Sequence, residues 1–214
     1  MKAPAKPTTE SKQIVISPPN LKIATFKIRG TSPYVQHAFG GKAAAQMRET
    51  QVAGSTAKNK KKKEPKDFDG MREDATHYSD EGWIGIPAAA FRNAMISACR
   101  VAGFVMTKAK LSLFCMEDGY DRHSGDGLVK ITKGTPIHKE HHVRLATGVI
   151  DIHARPMWMP GWESMVRIRY DADQFTETDV ANLMMRVGMQ IGVGEGRHDS
   201  KTSCGMGWGT FELA

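Results

Sequence analysis

Apolar and polar residues alternate along Leu21-Lys-Ile-Ala-Thr-Phe-Lys-Ile-Arg29. Leu21, Ile23, Thr25 and Lys27 point to one side, Lys22, Ala24, Phe26 and Ile28 to the other, and Gly30 closes the run. This period of two predicts a strand. Residues 42–51 (KAAAQMRETQ) are helix-prone. Trp83–Pro87 reads as a short extended approach. From Ala88 to Ala102 the apolar positions 91, 94, 95, 98, 99 and 102 follow a 3.6-residue stripe, with Pro87 at the start and Gly103 at the end, so a helix is predicted. Lys110–Met116 is a strand candidate, followed by the turn Glu117–Asp121. Leu128–Ile131, Val143–Leu145 and Val149–Ile152 are short strand candidates, and Met165–Tyr170 alternates cleanly. Thr176-Glu-Thr-Asp179 has the form of a capping box, and Val180, Leu183, Met184, Val187 and Ile191 share one helical face behind it. Met184, Met185 and Met189 are expected in the core. A final strand is predicted over Gly207–Leu213.

Stripped of insertions, the order is βαββαβ. The expected fold class is α+β, a ferredoxin-like or RRM-like sandwich with long insertions: one antiparallel sheet with two helices on one face. The expected organisation is a disordered lead over 1–20 and one domain over 21–214, with a basic insertion loop at 52–69 and a hairpin insertion at about 118–148. A sheet with a bare face is a platform for single-stranded nucleic acid.

Charge sharpens that expectation. The chain carries a net +7, but residues 1–70 hold 14 Lys/Arg against 5 Asp/Glu, while residues 71–214 hold 16 against 18. Six lysines fall between Lys58 and Lys66, opposed only by Glu64. A basic excess confined to one portion points to a localised polyanion contact. Three scattered cysteines without CxxC spacing fit a reducing, cytoplasmic setting rather than a disulfide framework or a Cys-based zinc site. No apolar run reaches ~18 residues, so no spanning helix is predicted.

The C-terminal GVGEGRHDSKTSCGMGWG holds six glycines in eighteen residues, Gly192–Gly209, with Arg197, His198 and Lys201 among them. Glycines there let backbone N–H groups approach phosphates, or serve tight turns alone. A Walker loop is excluded, because no Gly-Lys-Ser/Thr opens a helix. His138, Glu140, His141 and His142 lie within five residues but lack HExxH spacing, and a solvent-exposed polar turn is expected there. No metal site and no cofactor are predicted. The cluster Met157-Trp-Met-Pro-Gly-Trp162 is expected in a core or an interface.

Ile86-Pro-Ala-Ala-Ala-Phe-Arg92, followed downstream by a helix and the glycine-rich loop, resembles the RAMP superfamily. These are RRM-fold proteins that build CRISPR effector backbones and process guide RNA. The similarity spans roughly residues 21–30 and 83–214, with alanines at 88–90 where the family often has Gly-Ser. The resemblance implies a single-stranded nucleic-acid binder, RNA before DNA, working as a homo-oligomer or as a subunit of a nucleoprotein complex. Expected backbone contacts are Lys58, Lys60, Lys61, Lys62, Lys63, Arg92, Gly194, Gly196, Arg197, His198 and Lys201. Three alternatives stay open: a metal-free endoribonuclease with His37 as its catalytic residue and Tyr34 nearby, a phage or mobile-element single-stranded DNA-binding or recombination protein, and a scaffold subunit that docks a partner through Trp158–Trp162.

Overall fold

The alternation at the start of the chain becomes a ten-residue strand, β1 (Leu21–Gly30), in a computed structural model. The structure describes residues 17–39, 45, 47–49, 51–52, 65–144, 150–200 and 205–214. Most of the lead, half of the helix-prone run at 42–51 and Lys58–Lys63 lie outside the described residues, and the described residues of that run are helical. The remaining elements are β2 (Tyr34–Val35), α1 (Phe68–Asp74), β3 (Gly85–Pro87), α2 (Ala88–Val101), α3 (Met106–Ser112), β4 (Leu113–Met116), β5 (Gly119–Tyr120), β6 (Gly127–Lys133), β7 (Ile137–Arg144), β8 (Ile150–Trp158), β9 (Glu163–Asp171), α4 (Glu177–Arg186) with a π-helical turn over Val187–Ile191, and β10 (Phe211–Leu213).

The architecture is mixed α/β with antiparallel sheets. The large sheet runs β10-β1-β9-β6-β3, with β4 also on β9 and β5 on β6. A second, three-stranded sheet, β2-β8-β7, was not foreseen from the sequence. β2 lies just after β1, β7 sits inside the stretch expected as a hairpin insertion, and β8 follows that stretch. That stretch divides between the sheets, because β6 pairs with β9 while β7 pairs with β8. The IHKEHH segment is accordingly part of strand β7 rather than a polar turn. Apolar and polar residues alternate through Arg155 and the strand runs on to Trp158, so β8 is longer than its apolar start suggested.

Three further boundaries moved. Lys110–Ser112 close helix α3, because Arg92 donates to the Lys110 and Leu113 carbonyls and Ala109 and Ser112 pack inward one turn apart. Phe68 and Asp69 belong to helix α1, capped by Asp67, whose Oδ1 accepts from Gly70 N at 2.9 Å. The last strand shrinks to three residues.

The core lies between the large sheet and helices α2 and α4. Ala24 and Ile28 of β1, Val166, Ile168 and Tyr170 of β9, Phe91, Met95 and Cys99 of α2, and Val180, Leu183 and Met184 of α4 form one buried cluster. Each fully buried large side chain contributes about 1.5–3 kcal/mol of transfer free energy. The capping box of α4 is present: Thr176 Oγ1 accepts from Asp179 N at 3.1 Å and Asp179 Oδ2 from Thr176 N at 2.9 Å. Met185 and Met189 are exposed, contrary to expectation, because both lie off the buried stripe Val180, Leu183, Met184, Val187 and Ile191. Trp158 and Trp162 are buried beside Tyr34, with ring centroids 5.5 and 5.3 Å from its own, and they join the two sheets. No helix among the described residues is long and apolar enough to cross a membrane.

Gly209, at φ +72°, fits where a Cβ would lie 1.7 Å from the Val193 carbonyl oxygen. Gly103, at φ +76°, has open space around the same position. Gly103→Ala therefore costs only the left-handed backbone term, about 1–2 kcal/mol. Gly209→Ala adds a main-chain collision and costs more than about 3 kcal/mol. Urea midpoints of the two variants measure the difference, and equal losses would contradict this packing.

Candidate functional site

Two surfaces gather chemistry. The first is the open face of the large sheet. Because β1 and β9 alternate strictly, residues opposite to the core set face outward together: Ile23 lies opposite Arg169, Thr25 opposite Arg167, and Lys27 opposite Met165. On the other side of β9, Phe114 pairs with Arg169 and Met116 with Arg167. Ile23 is 57% exposed and Met165 41%, so apolar surface is left in water beside guanidinium groups. The Arg169 guanidinium lies 5.2 Å from the Phe114 ring centroid, and that of Arg92 lies 5.7 Å from it. Lys27 and Lys133 share Glu163 at 2.9 and 3.1 Å, and Arg167 reaches Asp118 at 2.8 Å. Among the described residues no carboxylate pairs with Arg169 or Arg29.

The second surface is where the glycine-rich loop meets the small sheet. It is built around Arg155 of β8, whose side chain is only 5% exposed. Arg155 Nε donates to Glu195 Oε2 at 2.9 Å, and Nη1 donates to the Ala154 carbonyl at 3.1 Å. Its Nη2 faces His37 Nε2 at 3.1 Å and His153 Nδ1 at 3.2 Å. A guanidinium only donates, so both imidazole nitrogens accept and both rings are neutral. The remaining protons then sit on His37 Nδ1, 3.9 Å from Glu195 Oε1, and on His153 Nε2, 3.3 Å from Asp151 Oδ2. Asp151 is held in turn by Lys66, which also donates to the Ile152 carbonyl, and the Lys66 contact is the main cause that keeps the Asp151 carboxyl below its ordinary range. His141 stands directly across from His153 and packs on Trp208, with ring centroids 5.0 Å apart. Its Nε2 is buried without a hydrogen-bond partner.

The loop glycines serve this junction. A Cβ at Gly194 would lie 2.6 Å from Tyr34 Cε2 and from the Val35 oxygen, and one at Gly196 would lie 2.4 Å from Trp208 Cε3. Glu195 N donates to the Val35 carbonyl at 3.0 Å, Val193 N to Gly209 O at 3.0 Å, and Gly209 N to Pro33 O at 2.7 Å. Many loop amides thus hold the fold, whereas those of Gly194, Gly196, Arg197 and His198 have no hydrogen-bond partner among the described residues. Arg197 folds back onto the Gly194 carbonyl at 3.1 Å, and His198 is exposed. Lys201 lies outside the described residues. Arg92 is tied to α3 and β4 at the rim of the open face and is not near the loop site.

Sequence reasoning singled out His37, Gly194 and Gly196 in this junction but missed Arg155 and Glu195. Residues 150–158 give the missing signal, because a strand there puts Asp151, His153, Arg155 and Met157 on one face. Tyr34 does not serve His37: it is buried among the tryptophans, and burial pushes its hydroxyl pKa up. The Cys99 and Cys115 thiols are pushed up by burial to about 11 and about 12, which leaves neither as a ready nucleophile. Among the described residues no three His, Cys, Asp or Glu side chains converge as a metal site.

No protein-family model matches the chain, and no curated protein sequence matches it.

Burial, and then the Arg155 charge, hold the His37 pKa below its ordinary 6.5. Burial, with Lys139 and Arg155, does the same to His141. The unfolded chain therefore binds more protons than the folded one as pH falls below 6.5. The stability tied to these neutral rings is complete above that pH and is lost as pH drops toward their folded values. Urea unfolding at pH 7.5 and pH 5.5 is expected to show a larger loss in the wild type than in a His37→Gln, His141→Gln double variant. Identical losses would contradict the neutral assignment.

Proposed function

We propose that the protein binds single-stranded nucleic acid across the open face of its large sheet, with RNA preferred over DNA. The observation that carries this reading is the Phe114–Arg169–Ile23 row, a half-buried ring and an exposed isoleucine interleaved with a cation that no carboxylate among the described residues neutralises. Bases stack on aromatic and guanidinium planes whatever their identity, and phosphates are attracted by flanking cations, here Arg29, Lys27 and Arg167. The basic segment Lys58–Lys63 and the open amides of Gly194, Gly196, Arg197 and His198 extend the contact to the backbone.

The fold reading that accompanies this proposal is ferredoxin-like. In it β1, α2, β4, β9, α4 and β10 form the βαββαβ series, and the lateral order β10-β1-β9-β4 supports it. The RAMP-like character rests on the same series together with the Ile86–Arg92 segment and the glycine loop. The protein then works in the cytoplasm as a homo-oligomer or a subunit of a nucleoprotein complex. This binding role is favoured over an endoribonuclease, since the lone pair of His37 Nε2 is taken by Arg155. It is favoured over a Trp158–Trp162 docking scaffold because both rings are buried.

Equal-length single-stranded RNA, single-stranded DNA and duplex, titrated at several salt concentrations, test the proposal. Single-stranded RNA is expected to bind tightest, without turnover in EDTA. Phe114→Ala and Arg169→Ala are each expected to weaken binding by roughly five- to hundred-fold, the range for losing one stacked base. Replacing Lys60–Lys63 by Ala is expected to flatten the salt slope by about 3. Binding that ignores salt and both open-face variants would defeat the proposal.

A further inference from the structure

We propose that Arg155 and His37 form a binding site for a phosphate group, and that the Glu195 carboxylate is an internal anion now filling it. The argument starts from how the two donors are aimed. Arg155 is fixed by the Ala154 carbonyl and by two imidazoles, so its Nε–H presents itself in one direction only. Because His37 accepts at Nε2, its Nδ1–H is also turned toward the same carboxylate. Two N–H groups, one from strand β8 and one from the segment after β2, thus converge on one anion, the arrangement by which guanidinium groups recognise carboxylate and phosphate alike.

Glu195 suits the part of a displaceable occupant. Its backbone is fastened independently, through its amide on the Val35 carbonyl and through glycines at 194 and 196 that fit where no Cβ would. The side chain can therefore swing away while the loop stays in place. Access lies through His37, whose side chain is 56% exposed.

Charge selects phosphate over a second carboxylate. His37, His153 and Arg155 share one face of the small sheet with Lys139 and His141, by strand alternation and the β7–β8 register. His77 approaches His37 from the segment before β3. The opposing carboxylates are Glu195, Asp151 and Asp121; Asp151 is already engaged by Lys66 and His153, and Asp121 by His77 at 2.8 Å. With Glu195 moved aside, Arg155 is left without its carboxylate, and protonation of His37 or His141 adds to the demand for a dianion. A tetrahedral anion also offers a third oxygen for the Lys139 and His141 side.

The site is independent of the open sheet face and does not rest on nucleic-acid binding there. Inorganic sulfate is the primary probe, because its charge stays constant between pH 6 and pH 8 and any pH dependence then belongs to the protein. Histidine ring resonances are followed by NMR during the titration. Sulfate is expected to shift His37, to raise its apparent pKa, and to bind more tightly at pH 6 than at pH 8. Glu195→Gln is expected to tighten sulfate binding about tenfold by removing the internal competitor, and Arg155→Gln to abolish it. Should Arg155→Gln fail to fold, His37→Asn at the exposed mouth is expected to weaken sulfate instead. Competition by 5′-phosphorylated and 5′-hydroxyl oligonucleotides separates a terminal from an internal phosphate, and sulfate displaced only by inorganic phosphate marks a free ion; each result supports the site. Phe114→Ala leaves sulfate binding unchanged, so this site and the open face stand or fall separately. An unmoved His37 resonance, or Glu195→Gln with wild-type affinity, would overturn the proposal.

Discussion

Nine consecutive pairs, from Leu21 opposite Asp171 to Arg29 opposite Glu163, lock β1 to β9. Everything else depends on that register. A slip of β1 by one residue would carry Ala24 and Ile28 out of the core and put Lys27 into it. Burial of the apolar set against α2 and α4 therefore fixes the register. By fixing it, burial also fixes which cations share the outer face. The outward row of Phe114, Arg169 and Ile23 is a consequence of core packing two atoms of backbone away.

The same strands carry the second surface indirectly. Gly30 ends β1 where a Cβ would lie 2.0 Å from Trp162 Nε1, and its carbonyl accepts from Gly161 N at 2.8 Å. The chain then turns into β2, so that Tyr34 meets Trp158 and Trp162 and the small sheet hangs from the large one. His37 follows two residues after β2, and Glu195 is pinned to Val35 in that strand. The polar junction at Arg155 is thus placed by an aromatic one.

How much of this was legible in the sequence follows from which signals are local. The period-two alternation of β1 and β9, the stripe of α2 and the Thr176–Asp179 capping box are each decided within a dozen residues, and the structure contains them. The small sheet pairs Tyr34–Val35 with residues more than a hundred positions away, so no local pattern announces it. His138–His142 looked like a turn because polar residues on both faces of a two-sided strand mask alternation. Arg155 escaped notice because its importance comes from Glu195 on a distant loop. The glycine run was conspicuous, yet glycine density alone does not say which amides the fold consumes and which it leaves open.

The central claim is that single strands lie on the open sheet face, and photocrosslinking locates them directly. A single-stranded RNA carrying 4-thiouridine, irradiated with the wild-type protein and mapped by mass spectrometry, reports the residues beneath its bases. The account predicts crosslinks concentrated at Phe114, Met116 and Met165 on the strands β4 and β9. Crosslinks confined to the helical side, around α2 and α4, would contradict it.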